Sequence, residues 1–211
     1  GPDDDRPVVT PTRLFGRRSV GDEVRRRLAE AETGRGSPLL VSGPSGVGKT
    51  AVLELAQSLA ARRGWRVGRG SASAVEGPWP YAPALEALSD LCRRHPALLD
   101  GLEEVYRQEL ERALSGRDMT WSGESGHQRL FVAATELVRL AAAGHGLLLV
   151  VDDLHEADEA SLRLLHYLSR CVTTEPVLVV LAHRPVGFGP VRDVLDSLLA
   201  RGGGTRVELA P

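Results

Sequence analysis

Eight consecutive residues, Gly43 to Thr50, carry the groups most able to do chemistry in this sequence. They read Gly-Pro-Ser-Gly-Val-Gly-Lys-Thr and fill the pattern G-x-x-x-x-G-K-[ST] completely. Glycines at 43, 46 and 48 allow successive main-chain N–H groups to curve around an oxyanion. Lys49 supplies a cationic donor for phosphate, and Thr50 supplies a hydroxyl for the magnesium ion that a nucleoside triphosphate carries. The motif therefore predicts a site for Mg²⁺ and a nucleoside triphosphate.

The residues around this loop fit the same interpretation. Before it, Pro38–Ser42 is a short apolar run typical of a buried strand, and after it apolar residues from Val52 to Ala60 recur at helical spacing. Lys49 is the only lysine in a chain that otherwise uses arginine for its basic positions, which indicates that its chemistry is needed there. A glycine-rich turn without a ligand is the alternative, and the strand and helix on either side favour the phosphate loop.

Two carboxylates follow a second apolar run. Leu147–Val151 has five consecutive apolar residues, which predicts a strand buried on both faces, and Asp152 and Asp153 come directly after it. Ligands of open α/β sheets bind at the carboxyl ends of the strands. We assign Asp152 to magnesium and Asp153 to the orientation or deprotonation of an attacking water. The alternative is that Asp153 or the nearby Asp158 caps the following helix.

A third apolar run, Val177–Leu181, ends in Ala-His-Arg-Pro. The pair His183 and Arg184 would lie at the same edge of the sheet, and Arg184 is the better candidate for a γ-phosphate contact because its guanidinium is always charged. An ordinary surface arginine is the alternative interpretation.

Composition limits the function classes. The chain has 211 residues and a net charge of −2, which gives no electrostatic case for nucleic-acid or membrane binding by this segment. Cys92 and Cys171 have neither metal-type nor redox-type spacing, so we predict two buried free thiols in a reducing compartment. No membrane-spanning run or signal peptide is recognisable, which favours a cytoplasmic protein.

The rest of the chain alternates predicted helices and strands. Residues 1–12, beginning with a Gly-Pro protease scar, are predicted as a linker, and 13–211 as one core. Apolar spacing predicts a single helix over 97–114, and polar composition predicts a loop over 116–126. Strands that alternate with helices predict an α/β sandwich of three layers, with a parallel sheet covered on both faces.

Six stretches together resemble the AAA-like ATPase module of large bacterial regulators, which belong to the signal-transduction ATPases with numerous domains (STAND). They are Leu14–Arg17, Gly43–Thr50, Pro78–Leu88, His127–Leu140, Leu147–Asp158 and Leu178–Pro185. In that family the module often precedes a helical repeat sensor and a LuxR-type DNA-binding domain. The resemblance covers residues 13–211.

The resemblance implies a strand order of 5-1-4-3-2 and a nucleotide site for ATP. Phe15, Gly16 and Arg17 would flank the base, Asp152 and Asp153 would be the Walker B acids, and Arg184 would be the sensor after strand 4. The residues expected to bind the nucleotide are Phe15, Gly16, Arg17, Gly43, Pro44, Ser45, Gly46, Val47, Gly48, Lys49, Thr50 and Ala51. Many relatives have Glu after the first Walker B acid, so the shorter Asp153 implies slow hydrolysis. A C-terminal lid is expected to be missing from 13–211.

The leading hypothesis is an ATP/Mg²⁺-binding switch module with slow hydrolysis, from a multidomain transcriptional regulator. Its expected partners are ATP or ADP, other copies through the nucleotide site, and DNA only through a domain outside this chain. Two alternatives remain open. One is a phosphotransferase with its acceptor pocket in the segment 78–126, and the other is a nucleotide-binding scaffold without turnover.

Overall fold

The computed structural model describes residues 12–13, 17–44, 46, 48–71, 81–115, 123–171, 174–201 and 204–209. Six strands form one parallel sheet of order β1-β6-β2-β5-β4-β3. They are β1 (Thr12–Arg13), β2 (Leu39–Ser42), β3 (Arg66–Ser71), β4 (Leu147–Asp152), β5 (Val177–His183) and β6 (Thr205–Glu208). The five longer strands confirm the order 5-1-4-3-2, and the two-residue β1 extends the sheet beside β6, beginning at Thr12.

The apolar runs form the centre of this sheet. Every residue of β2 and β5 is buried, and so are the first five residues of β4. Such strands have no polar face because helices cover both sides of a parallel sheet. The register places Ser42 opposite His183 in β5, and Ser71 opposite Asp152 in β4. The polar residues that end these strands therefore share one edge of the sheet.

Eight helices of the described chain pack on the two faces. They are α1 (Arg17–Glu32), α2 (Lys49–Arg62), α3 (Ala82–Arg94), α4 (Ala97–Asp100), α5 (Glu104–Leu114), α6 (Gly123–Ala142), α7 (Glu159–Cys171) and α8 (Pro190–Arg201). One core joins α1 and α2 to the face that carries Leu39, Val150 and Val180. A larger core joins α3 to α8 to the opposite face, which carries Leu40, Val151 and Leu181. The three-layer α/β prediction is confirmed.

The single helix predicted over 97–114 is wrong. The chain forms α4, breaks at Gly101 to Glu103, and starts again as α5. The main-chain N–H of Gly101 donates to carbonyl oxygens of Ala97 and Leu98, which closes the first turn, and Glu103 is extended with φ −58° and ψ 144°. Val105, the second residue of α5, is 61% exposed.

The structure also differs from two smaller predictions, for the loop before α6 and for Cys171. Of the polar loop predicted over 116–126, residues 123–126 belong to α6, and residues 116–122 lie outside the described residues. Both cysteines are free thiols, and Cys92 is buried as predicted, whereas Cys171 at the end of α7 is partly exposed. None of the described helices is long and apolar enough to cross a lipid bilayer.

Candidate functional site

The predicted phosphate loop connects the end of β2 to the first residue of α2. Gly46 and Gly48 have φ angles of 82° and 91°, in the left-handed region that glycine adopts without a Cβ clash. Gly48 is also the N-cap of α2, and it has no side chain to accept hydrogen bonds from the first-turn amides. Those amides and the positive end of the helix dipole are therefore suited to an anionic ligand.

The ammonium group of Lys49 lies against the first two residues of the loop. Its Nζ donates hydrogen bonds to the carbonyl oxygens of Gly43, at 2.6 Å, and Pro44, at 2.8 Å. The main-chain N–H of Gly43 in turn donates to the carbonyl oxygen of His183, at 3.3 Å. The lysine, the loop and the end of β5 thus form one connected group.

The electrostatics of Lys49 connect it to the other predicted residues. Burial lowers the pKa of this ammonium group below its usual 10.5, and the positive charge of Arg184 lowers the pKa further. The carboxylates of Asp152 and Asp153 act in the opposite direction and raise it. These groups influence one another because β2, β4 and β5 are parallel and end at the same edge. The structure therefore brings the loop lysine, both acids and the arginine together.

The two acids differ in their surroundings. Asp152 ends β4, and its Oδ1 accepts a hydrogen bond from the main-chain N–H of Asp153 at 2.8 Å. Oδ2 of Asp152 lies 3.9 Å from Nη2 of Arg69 on β3. Asp153 has φ 51° and ψ 38°, a left-handed conformation that Asp tolerates better than most residues, and its Oδ2 accepts from the hydroxyl of Ser71 at 3.3 Å. The carboxylate of Asp153 is thus bonded to the end of β3.

Arg184 follows β5, and its main chain is held on both sides. Its N–H donates to Nδ1 of His155 at 3.1 Å, and its carbonyl oxygen lies 2.7 Å from Nδ1 of His183. His155 belongs to a short 3₁₀ turn, Leu154–Glu156, that begins directly after Asp153. The sensor position is therefore connected to the segment that carries the acids.

A cavity of about 320 Å³ adjoins the start of the loop, between the ends of β2, β5 and β6 and helix α8. Its polar lining consists of Ser42, His183, Arg192, Arg206 and Glu208. Burial lowers the pKa of His183, and Arg206 is among the positive groups that lower it further, so this ring is neutral near pH 7. A cavity with a polar lining therefore lies beside the phosphate loop at this edge of the sheet.

Not all of the residues predicted to bind the nucleotide lie in the described part of the chain. Phe15, Gly16, Ser45 and Val47 lie outside the described residues, and Arg17 is described only as the first residue of α1. Thr50 and Ala51 are exposed in the first turn of α2. The part of the site that the structure describes is therefore the phosphate and acid side, and the residues expected near the base stay a prediction.

The donor chemistry of this edge fits a magnesium ion that is held partly by a nucleotide. Within the described residues, no group of three or more His, Cys, Asp or Glu side chains is placed to hold a metal. The protein would contribute one hydroxyl, from Thr50, and the carboxylate of Asp152. Mg²⁺ is commonly bound through one or two carboxylates, with phosphate oxygens and waters completing its octahedral shell. The residues therefore fit a metal–nucleotide complex better than an all-protein metal centre.

Sequence reasoning missed three residues that contact the predicted acids and arginine. Ser71 and Arg69 come from β3, whose sequence signal is weak, and only the pairing of β3 with β4 brings them to Asp152 and Asp153. His155 lies inside the stretch Leu147–Asp158, which pointed to the family without giving that residue a role. Ser71 could have been predicted from its position, because it is a polar residue at the end of a strand, as Asp152 and His183 are.

A parallel sheet of this order, with a G-x-x-x-x-G-K-T loop after β2 and acids after β4, defines a P-loop NTPase fold. The chain belongs to the AAA ATPase domain family, whose family model matches residues 13–180. No curated protein matches the sequence significantly.

Two of the solved structures with a similar fold contain ORC proteins bound to DNA. The Aeropyrum pernix ORC1 protein in complex with DNA has 20% identity and a TM-score of 0.51, with 97% of this chain and 47% of that chain covered. Drosophila ORC bound to DNA has 18% identity and a TM-score of 0.57, with coverage of 93% and 44%. At such identities the similarity concerns the fold alone. The chain spans a little under half the length of these two proteins.

Proposed function

We propose that this AAA ATPase domain is a switch that binds ATP with Mg²⁺ and hydrolyses the nucleotide slowly. The observation that supports this function is the convergence of Lys49, Asp152, Asp153 and Arg184 at one edge of the sheet, beside the loop and the N-terminus of α2. The loop amides and Lys49 bind the phosphates, and Thr50 and Asp152 hold the metal. Bound Mg²⁺ supplies charge neutralisation on the phosphate oxygens.

Asp153 takes part in hydrolysis, and Arg184 recognises which nucleotide is bound. Asp153, whose carboxylate is bonded to Ser71, orients or deprotonates the water that attacks the terminal phosphate. Arg184 contacts the γ-phosphate and so distinguishes ATP from ADP. Turnover is slow because Asp153 is one methylene shorter than glutamate and has less reach toward the water.

The setting of the switch is a multidomain transcriptional regulator of the LuxR type. This part of the proposal rests on the resemblance of the stretch Leu147–Asp158 and its companions to that class of module. With a net charge of −2, the domain leaves DNA contact to another domain of the protein. The free thiols Cys92 and Cys171 suit a reducing cytoplasm. ATP favours the assembled, signalling-competent form, and hydrolysis resets it.

Calorimetric titration with ATP and with ADP, in the presence and absence of Mg²⁺, followed by a phosphate-release assay on the same sample, tests the function. Wild-type protein should bind both nucleotides and release phosphate slowly without any acceptor. Lys49→Ala should lose ATP binding, whereas Arg62→Ala, which removes one exposed positive charge at the other end of α2, should bind normally.

Each other outcome contradicts part of the proposal. ATP binding that survives Lys49→Ala contradicts the role of the loop. Binding without any phosphate release identifies a scaffold rather than a slow ATPase. Phosphate transfer only after an acceptor is added identifies a phosphotransferase.

A further inference from the structure

The main chain of Arg184 is held by two imidazole rings that come from different parts of the fold. Its N–H donates to Nδ1 of His155, 3.1 Å away, and its carbonyl oxygen accepts from Nδ1 of His183, 2.7 Å away. His183 is the last residue of β5, and His155 lies in the 3₁₀ turn that follows the acids of β4. Both rings use the same ring nitrogen, in opposite hydrogen-bonding roles.

The hydrogen bonds assign a different neutral tautomer to each ring. A main-chain N–H can only donate, so Nδ1 of His155 carries no proton and its Nε2 does. A carbonyl oxygen can only accept, so Nδ1 of His183 carries the proton. The lowered pKa of His183 is consistent with a neutral ring. The pair can therefore hold a peptide N–H and a peptide carbonyl at once.

The rings of His155 and His183 are shielded from solvent, whereas the side chain of Arg184 is exposed. His183 is 2% exposed and the side chain of His155 is 13% exposed, while Arg184 is exposed. Arg184 also lies one residue beyond the last paired residue of β5, so the sheet does not fix its backbone. A long side chain that must reach one ligand atom loses less entropy on binding if its backbone is already fixed.

We propose that His155 and His183 are positioning residues that fix the backbone of Arg184 and so aim its guanidinium at the terminal phosphate. The inference rests on the proposed function, in which Arg184 reads that phosphate. It adds a physical connection between the acid-bearing segment and the arginine, because His155 is two residues from Asp153 and bonds directly to Arg184. Movement of the turn after β4 would therefore move the residue that recognises ATP.

The test compares two substitutions at position 155 that are both polar and differ in where they place an acceptor. The amide oxygen of His155→Asn occupies roughly the position of Nδ1, whereas His155→Gln places its oxygen near the position of Nε2. The quantity measured is the ratio of the dissociation constants for ADP and ATP, by calorimetry on the whole chain. Wild type should favour ATP, and the ratio should fall about three- to tenfold in His155→Gln, the effect of one hydrogen bond. The ratio should stay within about twofold of wild type in His155→Asn.

Affinity for ADP serves as the check on folding, since ADP has no γ-phosphate and its binding depends on the loop. Glu159→Gln, at an exposed position four residues from His155, is the control and should leave both constants unchanged. In an Arg184→Ala background, His155→Gln should have no further effect on the ratio, because the group that it positions is gone. At the other ring, His183→Asn can present an amide N–H toward the same carbonyl, and His183→Leu cannot.

The outcomes separate this inference from the proposed function. A normal ratio in His155→Gln, together with a reduced ratio in Arg184→Ala, overturns the positioning role and leaves the function of Arg184 intact. Equal losses in His155→Asn and His155→Gln, with weakened ADP binding in both, indicate a purely structural histidine and also overturn it. An unchanged ratio in Arg184→Ala contradicts the role of Arg184 in the proposed function, and the inference then fails with it.

Discussion

The hydroxyl of Ser71 donates a hydrogen bond to Oδ2 of Asp153, 3.3 Å away, although 82 residues separate the two in sequence. Ser71 ends β3 and pairs in register with Asp152 at the end of β4. The neighbouring strand therefore orients the carboxylate to which we assign the water. Hydrogen bonding of this kind restricts a side chain whose function depends on its direction.

Replacement of Ser71 by alanine should slow phosphate release without weakening ATP binding. Loss of a hydrogen bond worth about 1 kcal/mol corresponds to a decrease in kcat of about fivefold. Ser71→Thr retains a hydroxyl and should keep most of the rate. The measurement is steady-state phosphate release together with the calorimetric dissociation constant for ATP. A fall in ATP affinity with kcat unchanged would contradict the orienting role.

Substitutions of Asp152 and Asp153 should impair different steps, metal binding and hydrolysis respectively. Asp153→Ala should bind ATP with Mg²⁺ normally and lose turnover by about a hundredfold or more, the typical contribution of a general base. Asp152→Asn should instead raise the Mg²⁺ concentration needed for tight ATP binding, because it removes a charged metal ligand. Titrations of Mg²⁺ at fixed ATP, followed by phosphate release, distinguish the two. Identical defects in both variants would mean that the division of roles is wrong.

Asp158 should contribute to stability rather than to turnover. Its Oδ2 accepts main-chain N–H groups from Ser161, in the first turn of α7, and from Tyr81, directly before α3. Asp158→Ala removes a helix cap and leaves the Tyr81 amide without that acceptor, for a loss of about 2 to 4 kcal/mol in the free energy of unfolding. Urea unfolding followed by circular dichroism measures this loss.

The control for this variant is Asp158→Asn, which keeps a side-chain oxygen at the same position and should lose less stability. Equal stability of wild type and the alanine variant would show that neither hydrogen bond stabilises the fold. The capping alternative considered for Asp158 is the one that the structure supports, since its carboxylate serves α7.

The two cysteines should differ in their reactivity toward a thiol reagent. Burial raises the pKa of Cys92 to about 11, so the reactive thiolate is scarce at pH 8 and appears only as the pH approaches that value. Cys171 is partly exposed. Native protein at pH 8 should therefore react rapidly at one thiol, and Cys171→Ser should abolish that reaction. Unfolding in urea should expose both thiols, and rapid labelling of two thiols in the native state would contradict the burial of Cys92.

The sequence predicted those loops and strands whose residues are consecutive in the chain and show a recognisable local pattern. The loop at 43–50 and the five apolar residues before Asp152 specify their own conformations, because glycine torsions and double-sided burial are local or nearly local requirements. The sheet order came from the resemblance and is confirmed by the strand pairing. These features placed Lys49, both acids and Arg184 at one edge.

Contacts that depend on register were not predictable in the same way. Ser71 reaches Asp153 only because β3 and β4 pair with a particular alignment, and no periodicity within Arg66–Ser71 specifies that alignment. The break at Gly101 was missed because Leu98 and Leu102 keep helical spacing across it. Glycine is a poor helix former, and its amide closes the preceding turn instead of continuing the helix.

The double hydrogen bond of Asp158 also joins the start of α7 to the start of α3. Tyr81 is 1% exposed, and its main-chain N–H is bonded to the residue before α7, so the start of α3 is fixed relative to α7. A displacement of α7 would therefore move the start of α3, the helix that packs on β3.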